Sequence, residues 1–276
     1  MKSLFRKLIL CGCGTVGYWI IRKLPASRFA QMFGAAEVCD RATIQAHNAI
    51  TCPEYEGHAG RAKAERLAEL ARARLGEAAD IRSQACHVEQ VNWGEMMSRV
   101  TGEWAGEAIV VMGLDRWNSR LVVAEDLRAH RQATGMAISL IQIGLDKGHA
   151  QVAAFGCDPD DPCPACSMAV LPGTEPCVVF GRDHSLRRGN LQEEAGEAAD
   201  LAWEIIRDFT LNGNPRNSRW MNTKTYLSRA EGQPRYRRHT PLARRNAICP
   251  GPHSGRAPLR WDDTLEMLET WKETTP

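Results

Sequence analysis

The sequence carries almost no net charge. Its 35 lysines and arginines stand against 33 acids, a formal balance of +2 over 276 residues. The composition therefore gives no global electrostatic reason to expect nucleic acid as a partner. Long apolar runs are also missing. The apolar stretch after Lys2, Arg6 and Lys7 breaks into glycines within a few residues, so it reads as a first strand, not a signal peptide or a membrane span. No other segment has the length and apolarity to cross a bilayer, and no membrane partner is expected. Internal repeats and low-complexity tracts are absent, which excludes repeat arrays. Without a secretion signal, the ten cysteines are not expected to form a disulfide framework, and a cytoplasmic location follows as an expectation. Cys11, Cys13, Cys39 and Cys86 fall in or beside predicted strands, where a cysteine acts as a small buried hydrophobe.

What remains is an ordinary globular composition, 43% apolar and 25% charged, long enough for one large domain or two small ones. The stretch KLILCGCGTVGYWIIRKL, residues 7–24, runs an apolar segment into a G-x-G-x-x-G turn at Gly12, Gly14 and Gly17 and leaves it as an apolar-faced helix. That is a strand, a phosphate-cradling turn and a helix. Strands are predicted over 4–11, 32–40, 81–88, 107–115, 135–144 and 149–156, and helices over 16–24, 60–77 and 117–132. Residues 41–59 have no clear period and read as a loop or broken helix. The alternation implies a mostly parallel sheet with helices on both faces, a Rossmann-like doubly wound α/β fold. After residue 156 the texture becomes loop-like. A long helix over roughly 189–210, antiparallel strands near 219–227 and 234–242, and a short closing helix follow.

Ligands of such sheets bind beyond the carboxyl ends of the strands. Gly12–Gly17, Asp40 and Asp115 all fall at such ends. Asp40 lies at the end of the second strand, where it would take ribose hydroxyls in either a nicotinamide or an adenine nucleotide. Three features favour a triphosphate. Asn48 follows Asp40 by eight residues. Lys63 opens a helix, which makes electrostatic sense with an anion between the ammonium and the helix dipole. Asp115 ends an apolar strand opposite the glycine turn, where a carboxylate could hold a magnesium ion on the phosphates, and Arg120 follows five residues on. Each has a plainer counterpart: Asn48 as a turn residue, Lys63 as a solvated helix residue, Asp115 as a helix cap.

In this order and spacing, Gly12, Gly14, Gly17, Asp40, Asn48, Lys63, Asp115 and Arg120 resemble the adenylation domain of the ThiF/MoeB and ubiquitin-activating-enzyme superfamily. The resemblance covers residues 5 to 255. It implies a single adenylation domain over 1–276, with a nucleotide-binding half to 156. The half from 157 would hold a zinc knuckle, a crossover loop and the carrier-binding part. It implies ATP, magnesium and zinc as cofactors. The expected reaction is adenylation of the C-terminal glycine of a small ubiquitin-like or sulfur-carrier protein, with a homodimer and a ubiquitin-conjugating-like enzyme as further partners. Lys63 would neutralise charge at the attacked phosphoryl group and Asp115 would hold magnesium or orient the triphosphate. Cys163 and Cys166 in CPAC, with Cys249 and His253 in CPGPH, would form a closed zinc site, Cys157 being the alternative to His253. Cys177, in the loop after the knuckle, would take the activated tail as a thioester, or else pack as a structural cysteine.

The sequence departs from the family pattern at Ala42, where a second acid is usual, and at Thr51, where a phosphate-contacting arginine is usual. Arg6, Arg41 and Arg61 are the arginines that could stand in. Three other readings stay open. One is a nicotinamide oxidoreductase, which leaves Lys63, Asp115 and the knuckle unexplained. Another is a non-catalytic partner subunit. The third is an enzyme acting on the carboxylate of a modified tRNA base, against which the near-neutral charge argues.

Overall fold

The computed structural model describes residues 6–76, 79–98, 107–146, 149–158, 161–164, 188–211, 218–228 and 236–242. Strand β1 (Arg6–Cys11) leads into helix α1 (Thr15–Arg22), and a short α2 (Ala26–Met32) precedes β2 (Ala35–Cys39). Helix α3 (Lys63–Leu75), β3 (Asp80–Gln84), α4 (Trp93–Ser98), β4 (Glu107–Met112), α5 (Trp117–Thr134), β5 (Ala137–Asp146) and β6 (His149–Gly156) follow. Helix α6 (Arg188–Leu211), β7 (Thr223–Ser228) and β8 (Tyr236–Pro241) complete the described elements.

The eight strands form one sheet in the order β3-β2-β1-β4-β5-β6-β7-β8. The pairings from β3 to β5 are parallel, and those from β5 to β8 are antiparallel. The mostly parallel sheet with antiparallel C-terminal strands is thus the fold expected from the sequence. Its strand order reverses between β1 and β4, so the switch-point crevice opens at the ends of those two strands.

Strand β1 is buried on both faces, and its side chains divide by period two. Leu8 and Leu10 join a core with residues of α1, α3 and α6, whereas Ile9 and Cys11 join a second core with residues of α4 and α5. Helix α3 presents Ala64, Leu67, Ala68 and Ala71 inward, one face of a 3.6-residue period. Burying Leu67 alone contributes about 1.5–3 kcal/mol. The small alanines let α3 lie close to the sheet. Gly135 ends α5 in the left-handed region, φ 71°, and returns its N–H to the Arg131 carbonyl at 2.8 Å.

Several boundaries differ from expectation. Met32 belongs to α2, so the second strand begins at Ala35 rather than at residue 32. The fourth strand of the expected set stops at Met112, leaving Gly113, Leu114 and Asp115 in the turn beyond it. Residues 41–59 contain two 3-10 turns, Ala46–Ile50 and Pro53–Tyr55. No helix among the described residues is long and apolar enough to cross a membrane.

Candidate functional site

Three strand ends are stitched together at the crevice. The Gly12 amide donates to the Cys39 carbonyl at 2.9 Å, and the Gly113 amide to the Cys11 carbonyl at 2.8 Å. Gly12 has φ +95°, which L side chains rarely adopt, and a Cβ there would stand 2.7 Å from the Gly113 carbonyl oxygen. A Cβ on Gly17 would fall 2.1 Å from the Gly12 carbonyl oxygen. Both glycines are therefore demanded by packing of the turn on itself. Gly14 is different: a Cβ there would meet nothing within 4 Å. It caps α1 with no side-chain hydrogen bond and no acid in the first turn. The space beside Gly14 is thus open, with the positive end of the helix dipole behind it. Thr15, the first residue of that helix, shares a hydroxyl–hydroxyl bond of 2.8 Å with Thr51.

Asp40 is half-buried beside this turn. Its Oδ2 accepts the Cys13 amide at 2.7 Å and its Oδ1 accepts the Ala42 amide at 2.7 Å. The carboxylate fixes the glycine turn to the chain leaving β2. The outer lone pairs of the same oxygens are what it has left for ribose hydroxyls. From Ala42 the chain turns back on itself: Ala42 accepts the Lys63 amide at 2.9 Å, and Thr43 bridges Ala62. Lys63 is thereby delivered to the β2 side of the glycine turn as the first residue of α3. Its charge reaches the buried Cys13 and Cys52 thiols. No ion-pair partner for Lys63 occurs among the described residues.

Asp115 stands on the other side, in the turn after β4. It is exposed, and no partner for it occurs among the described residues. The plainer reading of Asp115 as helix cap is not met, because Arg116 holds the cap position and no side chain caps α5. Arg120 is buried, 2% exposed. Its Nε donates to the Leu114 carbonyl at 2.8 Å and its Nη2 to the Ile143 carbonyl at 3.0 Å. Its observed work is to brace the turn that carries Asp115. Asn48 bonds the Gln45 amide through Oδ1 at 2.9 Å and closes a 3-10 capping box. That leaves its Nδ2 for any ligand. Of the three candidate arginines, Arg6 is committed to Glu107 and to the Thr210 carbonyl, and Arg61 to Glu69. Arg41 is exposed and has no such partner among the described residues.

Burial pushes the Cys13 thiol well above its ordinary range, with Asp40 adding to the rise. Burial likewise raises Cys52 to about 11. Both stay protonated at neutral pH, so neither thiol nearest the turn is a ready nucleophile. Cys177 lies outside the described residues, as do Cys166, Cys249 and His253. Cys163 is buried at 4% exposure, in a segment held by Arg128 Nη2 on the Asp161 and Pro162 carbonyls at 2.7 and 3.1 Å. Cys157 packs in the apolar core with Phe155 and Leu242. Burial lifts its thiol to about 12. Among the described residues no group of three or more His, Cys, Asp and Glu side chains is disposed to hold a metal ion.

Two residues of the site carry little signal in a linear reading. Tyr55 donates its hydroxyl to the Cys13 carbonyl at 2.7 Å, propping the glycine turn from a segment without periodicity. Gly113 admits Val16, whose Cγ1 would stand 2.7 Å from a Cβ at that position. Its place between an apolar run and an acid, in VVMGLD, is the one clue to its role.

No protein-family model matches the chain, and no curated protein does. Solved structures do. The chain resembles Escherichia coli MccB with a TM-score of 0.61 at 14% identity, covering 94% of this chain and 68% of that one. MccB with MccA-N7isoASN gives 0.59 at 16%, covering 88% and 66%. PaaA gives 0.55 at 15%, covering 87% and 65%. Both proteins are ThiF/MoeB-family adenylating enzymes. Further MccB structures of the same fold contain ATP, or AMPCPP with MccA. The chain spans about two thirds of the length of these proteins, 65% of PaaA and 68% of MccB. At this identity the likeness is one of fold.

Proposed function

From the fold shared with ThiF/MoeB-family adenylating enzymes and the residues at its strand ends, we propose that this chain adenylates a carboxylate with ATP. The carboxylate is the C-terminal glycine of a small ubiquitin-like or sulfur-carrier protein. One observation carries the reading. Lys63 and Asp115 flank the glycine turn with opposite charges, and neither has a partner among the described residues to explain it. A triphosphate gives both of them a role. The amides of α1 take phosphate oxygens, Lys63 neutralises charge as the substrate carboxylate attacks the α-phosphate, and pyrophosphate departs. Asp40 positions the turn and offers its outer lone pairs to the ribose. Asp115 is the hard oxygen donor that would hold a magnesium ion, which when bound neutralises the triphosphate.

The basic residues from Arg219 to Arg245, with Glu231 as the lone acid among them, favour an acidic polypeptide substrate. MccB complexes with MccA offer a precedent for a small peptide partner on this fold. Handover of the tail as a thioester to Cys177, and from there to a conjugating enzyme, is the further step this reading allows, as is a homodimer. Cys163, Cys166, Cys249 and His253 would hold a structural zinc that ties the segment after β6 to the C-terminal part.

Calorimetry decides the nucleotide: Mg-ATP binds and NAD does not. Tight NAD binding without ATP binding would transfer the site to a nicotinamide oxidoreductase. Pyrophosphate exchange into ATP, stimulated by a carrier protein ending in glycine, decides the chemistry. Cys177→Ala keeps that exchange but loses any reducible adduct with the carrier. Metal analysis of the purified full chain should find about one zinc per chain, as a four-ligand site requires, and Cys163→Ser should lose it.

A further inference from the structure

Three of the chain's cysteines meet at the carboxyl ends of the first three parallel strands. Cys11 ends β1, Cys39 ends β2, and the two are register partners. Cys86 follows β3 by two residues, and Gln84, the last residue of β3, is the register partner of Cys39. Cys86 packs against the buried cluster that holds Cys11 and Cys39. Cys86 also points its thiol at Gln84 Oε1, 3.6 Å away. Cys11 and Cys39 are 0% exposed, in the core that α4 and α5 cover, whereas Cys86 is only partly buried. One thiol of three therefore reaches solvent, and it packs on the core that holds the other two.

A single buried cysteine is an inert hydrophobe. Thiols clustered on one core at neighbouring strand ends, with one solvent-facing member, have the arrangement of a peroxide-sensing pair with a resolving thiol. We propose that Cys86 and Cys39 form a reversible thiol–disulfide switch whose oxidation weakens nucleotide binding at the adjacent glycine turn. The ligand's identity rests on the adenylating reading above; the disulfide itself does not.

The oxidant is a hydroperoxide, with hydrogen peroxide as the simplest case. The Cys86 thiolate attacks one peroxide oxygen, the O–O bond breaks, and the other oxygen leaves as water after taking a proton, giving a sulfenic acid. The Cys39 sulfur then attacks the Cys86 sulfur. The S–S bond forms, the S–O bond breaks, and the hydroxide leaves as water with the proton from Cys39. Two thiols and one peroxide become one disulfide and two waters, and a dithiol reductant reverses the change. Cys86 is the entry because Cys11 and Cys39 are closed to solvent.

The coupling runs through the backbone. Cys39 immediately precedes Asp40, whose carboxylate holds the Cys13 and Ala42 amides, and the Cys39 carbonyl accepts the Gly12 amide at 2.9 Å. Forming the disulfide draws the two sulfurs to a bond of about 2.05 Å. The pull on Cys39 acts on two of the bonds that shape the glycine turn.

The full chain is treated with hydrogen peroxide, quenched and mapped by mass spectrometry without reduction. A Cys39–Cys86 crosslink that dithiothreitol removes is expected, and Cys86→Ser should not form it. Oxidised protein should bind Mg-ATP about tenfold more weakly, within the usual range of coupling between sites. The amides from Gly12 to Gly17 should exchange hydrogen faster, a readout that needs no ligand. Absence of the crosslink, with only overoxidised Cys86, would overturn the proposal. So would a crosslink that leaves exchange at the glycine turn unchanged. If the reduced chain binds no ATP while crosslink and exchange behave as stated, the adenylating reading fails and the switch stands.

Discussion

Tyr55 donates its hydroxyl to the Cys13 carbonyl at 2.7 Å across 42 residues of chain. Its ring meets Tyr18 edge-on, with centroids 5.8 Å apart. Burial pushes the hydroxyl's pKa far above its ordinary range, so it stays a donor at any physiological pH. The glycine turn is thus propped by Tyr55 on one carbonyl and by Asp40 on one amide of the same residue. Tyr55→Phe keeps the ring packing and removes only the donor. Leaving the buried Cys13 carbonyl without it costs about 1–3 kcal/mol. The expected result is a lower melting midpoint together with weaker Mg-ATP binding. A variant unchanged in both would remove Tyr55 from the site's support.

Gly17 and Gly14 should separate stability from binding. Gly17→Ala drives a Cβ to 2.1 Å from the Gly12 carbonyl oxygen, so the turn must open. That variant should be destabilised by several kcal/mol, as expected of severe overpacking, and a thermal melt reads it directly. Gly14→Ala meets nothing within 4 Å and should melt like the wild type. Its methyl group instead projects into the space where the phosphates would approach the α1 amides. Calorimetry should find ATP binding lost in a protein of normal stability. Full ATP affinity in Gly14→Ala would move the phosphates elsewhere.

Lys63 and Asp115 make the complementary case. Neither side chain has a bonding partner among the described residues, so Lys63→Ala and Asp115→Ala should change the melting midpoint little. Each should lower carrier-dependent pyrophosphate exchange by about a hundredfold to a thousandfold, the usual loss for one group that stabilises developing charge. Asp115→Ala should also weaken the magnesium dependence of ATP binding. Near-normal exchange in Lys63→Ala would return that residue to the solvated helix face.

What could be read from the sequence follows from which forces are local. The β1–turn–α1 unit was legible because an apolar run, three spaced glycines and an apolar helix face lie within 18 consecutive residues. Helix α3 was legible from its alanine and leucine spacing, and the late antiparallel strands from their change of texture. Helix α2 was not, because seven residues are too few to be stable alone. It is held by burying Phe29 and Met32 against distant elements. In the site, the positions of Gly12, Gly17, Asp40 and Lys63 were legible as strand ends and helix starts, whereas Asp115, expected to end its strand, lies in the turn beyond Met112. The partners of these residues were not legible. The bond from Cys13 to Asp40 and the prop from Tyr55 are non-local. Arg120 illustrates the limit: spacing puts a cation one turn into a helix, but only the fold turns its guanidinium onto the Leu114 and Ile143 carbonyls.

The buried pair of Lys7 and Glu37 supplies a test of the frame without touching the site. Lys7 on β1 and Glu37 on β2 are 1% and 0% exposed and lie 2.6 Å apart. Lys7 also donates to the Met96 carbonyl, and Glu37 accepts from Gln84 Nε2 on β3 at 2.5 Å. The pair therefore ties together four elements, β1, β2, β3 and α4, inside the core. Its desolvation offsets much of its attraction, so the pair adds little net stability, but removing one partner strands the other charge in the core. Lys7→Met should cost about 3–5 kcal/mol in urea unfolding, and Glu37→Leu a similar amount. The double variant should recover most of that loss, because no charge is left behind. The Met96 carbonyl and the Gln84 amide, each deprived of a partner, keep the recovery incomplete. Lys7 lies near the start of β1 and the glycine turn at its end, so Mg-ATP affinity should stay unchanged in the folded double variant. A double variant as unstable as the sum of the singles would show that the two charges act independently, and that the sheet depends on each for a separate reason.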